Sequence, residues 1–514
     1  MHELTSEPLD ASQHTSPPWL LMLVSLLIAT PLAYLLNIRF DEAYTLNTTA
    51  NGVVEAFRQA IGFGQQAPLY FSAIALWRSV DESVFFARLF SVICLPLFVW
   101  IAYAVSKRYL KNVNPLFIAA IAVVHQQTVW NALDIRVYAL MMLFSGLLLL
   151  LFYDGYLSEK PSGKARMVYV VVAVVSLYTQ YYLGFQLVAG AAVLLVLGRW
   201  KVLIRYVGDM AVTGVIFIPM LLILSGQLND FAGNIELPLT PTDMLRETWQ
   251  RIVALFLAVA WMPFEVERKW AMRLILPVVA LLFLIRIARE RKAEDIALGV
   301  YTLVLIGFFM FAMKFAGWSL TQNRHMSPLI LPLTLIPFAA FSVFKSKTLV
   351  TLWFVLVMLL CVWSLGNVYS PLAKPGDFDR VAQHLMQSER PNEPILVFHA
   401  DAVWPLRQYY KGQNQLVALP QENSLEKWDP RNNVIKDEAQ LVERINSAAG
   451  SAGQVWLVHD GWCGQGSLKF KCDLLEEVIN KYFIVEQTRR FYEPTTVRLL
   501  RRRAATVGKP ADAN

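Results

Sequence analysis

Two adjacent acids, Asp41 and Glu42, follow directly on the first long apolar run of this 514-residue chain. Acids held at a membrane surface can deprotonate a hydroxyl or bind a cation. They can also do something plainer: Asp41 is placed to cap a helix running from Glu42 to Leu46. A second polar group, Asp134, Arg136 and Tyr138, lies in a short stretch between two apolar runs. Asp134 and Arg136 can simply pair, and an exposed pair contributes little. A third group, Arg324-His325, stands at the mouth of a late apolar run, after a loop that starts at Lys314. An interfacial arginine can merely snorkel, or it can offer its fork to phosphate oxygens. Gln66 to Tyr70 reads as a turn (Gln-Ala-Pro) into a short interfacial helix. Two apolar runs also end in polar residues, His125-Gln126-Gln127-Thr128 and Tyr178-Thr179-Gln180-Tyr181-Tyr182. Such ends either approach the headgroups or line a polar cavity that opens outward.

These residues need elements to hold them. Hydrophobic residues make up 56% of the chain and charged residues 17%, below the quarter or so usual in soluble domains. Apolar runs lie near residues 19–36, 85–106, 113–130, 137–155, 168–182, 184–198, 206–225, 271–285, 295–313, 326–344 and 348–367. Most are near the ~20 residues that cross a bilayer. The tail before residue 19 carries Glu3, Glu7 and Asp10 and no Lys or Arg, unlike a secretory signal, so 19–36 is read as the first span. The segment 251–264 is apolar but short for a span. If it lies at the interface, the clusters Lys107/Arg108/Lys111, Lys160/Lys164/Arg166, Arg199/Lys201/Arg205, Arg286/Arg289/Arg291/Lys292 and Lys345/Lys347 share one side, the cytoplasmic one. The net charge of +7 is therefore topological, and no nucleic-acid partner is expected.

The expected architecture is a polytopic α-helical membrane protein with about eleven transmembrane helices and a C-terminal soluble α/β domain. Residues 1–18 form a cytoplasmic tail, 19–369 the membrane part with its outer loop 37–84, 370–500 the extracytoplasmic domain, and 501–514 a basic, disordered tail. In that domain 394–400, 455–460, 482–488 and 495–500 read as strands. Phe378, Val381, Ala382 and Leu385 share one helical face, and 438–447 is a second helix. Cys94 and Cys361 fall in spans as packing residues. Outside the cytoplasm Cys463 and Cys472 are permitted to bond.

The order of these motifs resembles the GT-C superfamily of polyprenyl-phosphate-sugar-dependent glycosyltransferases, which includes protein O-mannosyltransferases and lipid A aminoarabinose transferases. The resemblance rests on Asp41-Glu42-Ala43, the Gln66-x-Pro68-Leu69-Tyr70 element, Phe86-Ala87-Arg88-Leu89-Phe90-Ser91, then Asp134-x-Arg136-x-Tyr138, Arg324-His325 before Pro328, Pro332 and Pro337, and Asp377-Phe378. It departs at Gln66, Gln180 and His325, where relatives often have His, His and Tyr, which leaves metal binding and sugar preference open.

The resemblance implies an inverting transfer of sugar from a polyprenyl-phosphate donor to an extracytoplasmic glycolipid, glycan or protein acceptor. The implied home is a bacterial inner membrane, N-terminus inside and the C-terminal domain outside. Asp41 would act as general base, while Arg136 and Arg324, with Lys314, would stabilise charge on the leaving phosphate. Glu42 and Asp134 would hold Asp41, the acceptor or a metal ion. Tyr138, His325, Gln66 and Tyr70 would contribute to substrate binding. An acceptor that is itself an ionised phosphate needs no base. No cofactor is certain from the residues, and a divalent ion is left open without a convincing ligand set. The rival readings are a transporter or flippase of a lipid-linked sugar, which would want midplane charges and matching halves, and a polymerase or ligase using a lipid-diphosphate donor.

Overall fold

The computed structural model describes residues 17–62, 66–232, 240–256, 265–316, 322–424, 428–465, 468–492 and 494–503. A helix stands at each apolar run. The first, α1 (Trp19–Leu35), ends where Leu36 turns extended, and α2 (Phe40–Thr48) crosses its end at 87°. Two short helices follow in the same loop, α3 (Val53–Gly62) and α4 (Pro68–Arg78). The long α5 (Val84–Tyr109) starts on a Ser83 cap that accepts the Phe86 N–H. Its Arg88 is fully buried and donates to the carbonyls of Ala33, Leu36 and Asn37. Those include carbonyls that the end of α1 leaves without helical partners, so α5 fixes the direction in which the chain leaves α1.

The run 113–130 was expected as one span and is broken. Asn114 and Pro115 open α6 (Pro115–Val124), His125 turns extended, and α7 (Gln126–Ala132) restarts. His125, Gln126, Gln127 and Thr128 are buried and serve the break. The His125 ring accepts the Gln127 N–H and meets the Leu255 carbonyl at 2.9 Å, Thr128 donates to the Ala122 and His125 carbonyls, and Ser364 donates to Gln126. Among the described residues this polar run makes internal hydrogen bonds, as the freed backbone groups of a broken helix in an apolar bundle demand.

The bundle continues through α8 (Tyr138–Phe152), α9 (Gly163–Thr179), α10 (Gly184–Val196), α11 (Trp200–Ala232) and α12 (Pro241–Phe256). It closes with α13 (Glu265–Glu290), α14 (Ala293–Ala316), α15 (Ile330–Phe341) and α16 (Lys347–Tyr369). Among the described residues six helices are long and apolar enough to cross a membrane, or seven counting the bent α1–α2 pair as one span. The count of eleven is not confirmed. The apolar part of 251–264 begins inside α12, and 257–264 lies outside the described residues.

Beyond α16 the chain builds an α/β domain. Its helices are α17 (Phe378–Ser388), α18 (Val403–Tyr409), α19 (Glu438–Ala449) and α20 (Cys472–Tyr482). Its strands are β1 (Ile395–Phe398), β2 (Leu416–Ala418), β3 (Gln454–His459), the short hairpin β4 (Gly464–Gln465) and β5 (Leu468–Lys469), then β6 (Phe483–Arg490) and β7 (Thr496–Arg502). The main sheet has the order β2-β1-β3-β7-β6, parallel across β2, β1 and β3 and antiparallel across β3, β7 and β6. Alternation sorts β1 by face. Leu396 and Phe398 pack with α19 and α20, and Ile395 and Val397 pack with α17 and α18. Cys463 and Cys472 are bonded. Arg501 and Arg502 belong to β7, so the basic tail starts later than residue 501; residues 504–514 lie outside the described set, as do 1–16.

Candidate active site

Asp41 does not cap a helix. Arg39 is the capping position of α2, and Glu42, three residues on, accepts the Arg39 backbone N–H at 3.1 Å. Asp41 is thereby freed from backbone duty. Its carboxylate is ion-paired with Arg324 and stays 28% exposed. Arg136 approaches the same turn of α2, with Nη1 3.3 Å from Thr45 Oγ1 and 3.5 Å from the Asp41 carbonyl. Burial alone would raise the Asp41 carboxyl, but the guanidiniums of Arg324, Arg136 and Arg39 outweigh it and hold it well below the usual carboxylate range.

Glu42 and Asp134 have another job. Both are fully buried. Glu42 accepts from Arg88 Nη2 at 2.9 Å, Lys374 Nζ at 2.7 Å and the Ile135 N–H at 3.2 Å. Asp134 accepts from Arg39 Nη2 at 2.7 Å and Lys374 Nζ at 3.0 Å. A third bond, to the Leu133 carbonyl at 2.8 Å, uses the last ammonium hydrogen of Lys374. Asp134 and Arg136 therefore do not pair; each faces a partner from α2 or its entry. The support that Glu42 and Asp134 give Asp41 runs through Lys374 and Arg39. A divalent cation shared by these acids would have to displace Lys374. Among the described residues the one His/Cys/Asp/Glu cluster of metal-binding size is His459, Cys463 and Cys472, and its two thiols are joined to each other.

Tyr138 and His325 complete the floor. Their side chains meet at 3.2 Å, the Tyr138 ring lies 5.3 Å from the Arg324 guanidinium carbon, and Tyr182 stacks toward His325 at 5.7 Å. Of the polar run 178–182, then, Tyr182 reaches the site. Burial, and next the Arg324 charge, push the His325 imidazole well down. Several buried polar atoms of these residues lack partners among the described residues: Tyr70 Oη, His325 Nδ1 and the Nε atoms of Arg39, Arg136 and Arg324. Gln66 is half-buried at the entry to α4, and no side-chain bond joins it to Asp41. The side chain of Lys314 lies outside the described residues.

Sequence reasoning missed Arg39, Arg88 and Lys374 as site members. Arg88 sits inside a motif quoted above, where an arginine one turn into a span was itself a signal, and Arg39 lies two residues before Asp41. Lys374, between Ala373 and Pro375, carries no such mark.

This arrangement of helices, loop and outer domain has been seen before. The chain matches the apo structure of ArnT from Cupriavidus metallidurans with a TM-score of 0.57 at 12% identity, over 94% of this chain and 98% of that one. It matches the same protein bound to undecaprenyl phosphate with a TM-score of 0.53 at 13% identity, over 96% and 100%. The fold is GT-C. Neither a family model nor a curated protein matches the chain. At such identity the likeness speaks for the fold. In this GT-C fold Asp41 is the acid left exposed, while its two neighbours are locked in ion pairs.

Proposed function

We propose that the chain is a membrane glycosyltransferase that moves a sugar from a polyprenyl-phosphate donor to an acceptor on the extracytoplasmic side of a bacterial inner membrane. In this reading about eleven spans place the N-terminus inside and the α/β domain outside. The observation that carries it is the partly exposed Asp41–Arg324 pair, flanked by Arg136 on the same turn of α2 and by His325, next to Arg324 in the chain. The fold's occurrence in a protein with undecaprenyl phosphate bound supports it.

The pair suggests an order of events. In the resting site Arg324 and Asp41 neutralise each other. A lipid phosphate offers Arg324 a second anion in bidentate reach, which loosens its hold on Asp41. The Asp41 carboxyl then rises toward its ordinary range and becomes a better base. The acceptor hydroxyl attacks the anomeric carbon, its proton passes to Asp41, and the glycosyl–phosphate bond breaks. Charge growing on the phosphate is met by Arg324 and Arg136. Inversion follows from a single in-line displacement.

Purified protein given a panel of polyprenyl-phosphate sugars and membrane lipid extract should transfer sugar from at least one donor. Arg324→Lys keeps the charge and loses the fork, and we expect kcat/KM to fall roughly 10- to 100-fold. No transfer from any donor, by protein that stays folded, would count against the reading and turn attention to a transporter or a diphosphate donor.

The depressed Asp41 carboxyl gives a second expectation. Its charge is in place above the ordinary carboxylate value of about 4 and is lost only as pH falls through the lower value of the folded protein. The kcat/KM profile, which reports the free enzyme, should therefore show no acid limb due to Asp41 between about pH 8 and pH 5. An acid limb in that window that disappears in Asp41→Asn would contradict the assignment.

A further inference from the structure

A cavity of about 410 Å³ lies in the outer domain, apart from the Asp41 site. One wall is a single face of α17, with Arg380, Gln383 and Gln387 at helical spacing. The other is the end of β6 and the turn after it, with Arg489, Arg490 and Phe491. The lining also includes one carboxylate, Asp377, which is buried and occupied by the Tyr492 N–H at 3.2 Å and by Arg380 at 3.4 Å. Among the described lining residues three guanidiniums thus stand against one spent acid. Arg490 is exposed and has no carboxylate partner among the described residues. Arg489 donates to His384 Nδ1 at 3.1 Å and lies 5.4 Å from the Phe491 ring. His384 accepts there, so its other nitrogen, Nε2, carries the hydrogen; that atom is buried and has no partner among the described residues.

The mixture of groups narrows the ligand. Guanidiniums bind phosphate or carboxylate as forks. The Gln387 amide can donate and accept, as hydroxyl-rich ligands require, and Gln383, whose amide donates one hydrogen to Asp379 at 3.1 Å, keeps its carbonyl as an acceptor. Phe491 and Tyr492 offer apolar ring surface beside the charges. A bare phosphate would use only the arginines; a nonpolar ligand would use only the rings.

The cavity is also tied to the transfer site. Arg380 donates to the carbonyls of Pro371 and Leu372 at 2.7 and 3.0 Å, just past the end of α16. The Asp377 N–H bonds the carbonyl of Lys374 at 3.1 Å, the lysine that clamps Glu42 and Asp134. We propose that this cavity binds a saccharide carrying phosphate or carboxylate and presents it as the acceptor. The second half of that statement rests on the glycosyl-transfer reading; the first does not.

The test is saturable binding by the full chain in nanodiscs of zwitterionic lipid. The probes are a labelled trigalacturonate, neutral maltotriose, inorganic phosphate, and a phosphorylated glycolipid built into the discs. We expect trigalacturonate to bind at least about tenfold more tightly than maltotriose or phosphate. Arg489→Gln/Arg490→Gln should weaken it about tenfold or more, the scale of a lost charge-assisted hydrogen bond. Arg490→Gln alone, at an exposed position, guards against misfolding and should give part of that loss. Phe491→Ala should weaken trigalacturonate and leave phosphate unchanged. Asp41→Asn should bind as wild type, which keeps this test separate from transfer. Competition by the glycolipid at the same arginines would name a lipid-borne acceptor, and its absence a free glycan. Wild-type affinity in the double variant, or equal affinity for phosphate and saccharide, would overturn the proposal even with transfer intact.

Discussion

Asp41→Asn should fold normally, bind donor no more weakly than wild type and transfer sugar about 100-fold more slowly or worse, the usual contribution of a positioned general base. The substitution is close to isosteric and sits on a partly exposed carboxylate, so the packing of α2 survives. It removes the proton acceptor, which lowers kcat. It also leaves Arg324 without its resting partner, so the lipid phosphate meets no competitor there and donor KM should hold or fall. A drop in kcat with steady KM marks an interaction made in the transition state. The decisive measurement is steady-state kinetics on both substrates. A raised donor KM with intact kcat would sink the base assignment and leave Asp41 a binding residue.

Lys374→Met should be the most damaging single change outside the transfer chemistry. Lys374 is buried and gives all three hydrogens to Glu42, Asp134 and the Leu133 carbonyl. Burial pulls its ammonium pKa down, and Glu42 and Asp134 oppose that pull. Removing the cation leaves two buried carboxylates short of charge, a loss of about 3–5 kcal/mol for a broken buried pair. The consequence is local as well as global. The Lys374 N–H also bonds Asn37 Oδ1 at 2.7 Å, and Tyr409 of the outer domain bonds the Ile38 N–H at 2.9 Å. The outer domain therefore holds the chain that carries Asp41. Thermal unfolding should drop by several degrees and transfer should fall with it. Adding Glu42→Gln to Lys374→Met should recover part of the lost stability, since it removes one of the stranded charges. A double variant as unstable as the sum of its parts would show that Lys374 acts by packing alone.

Much of the molecule was readable in the chain. Apolar runs near bilayer length can only be helices, because hydrocarbon leaves backbone groups no other partner, and a helix stands at each run. The α/β domain was equally plain, since the continuous apolar runs 394–400 and 455–460 are short enough for buried strands and Phe378, Val381, Ala382 and Leu385 carry the 3.6 period of a helix face. The polar residues Asp41, Arg136, Tyr138, Arg324 and His325 were singled out because an apolar chain makes them conspicuous, and the fold gathers them.

What the sequence could not decide was the division of labour among them. Asp41 and Glu42 are neighbours of the same chemistry, and a helix sends them in different directions. Glu42 turns inward to Arg88 and Lys374, which lie 46 and 332 residues away, while Asp41 turns to Arg324, 283 residues away. Lys374 gave no signal because its meaning lies entirely in partners brought by other segments. At His125, too, only packing shows that the side chains bond across a broken helix. Periodicity and polarity are local and survive in the sequence; which charge meets which is settled only by long-range closure of the fold.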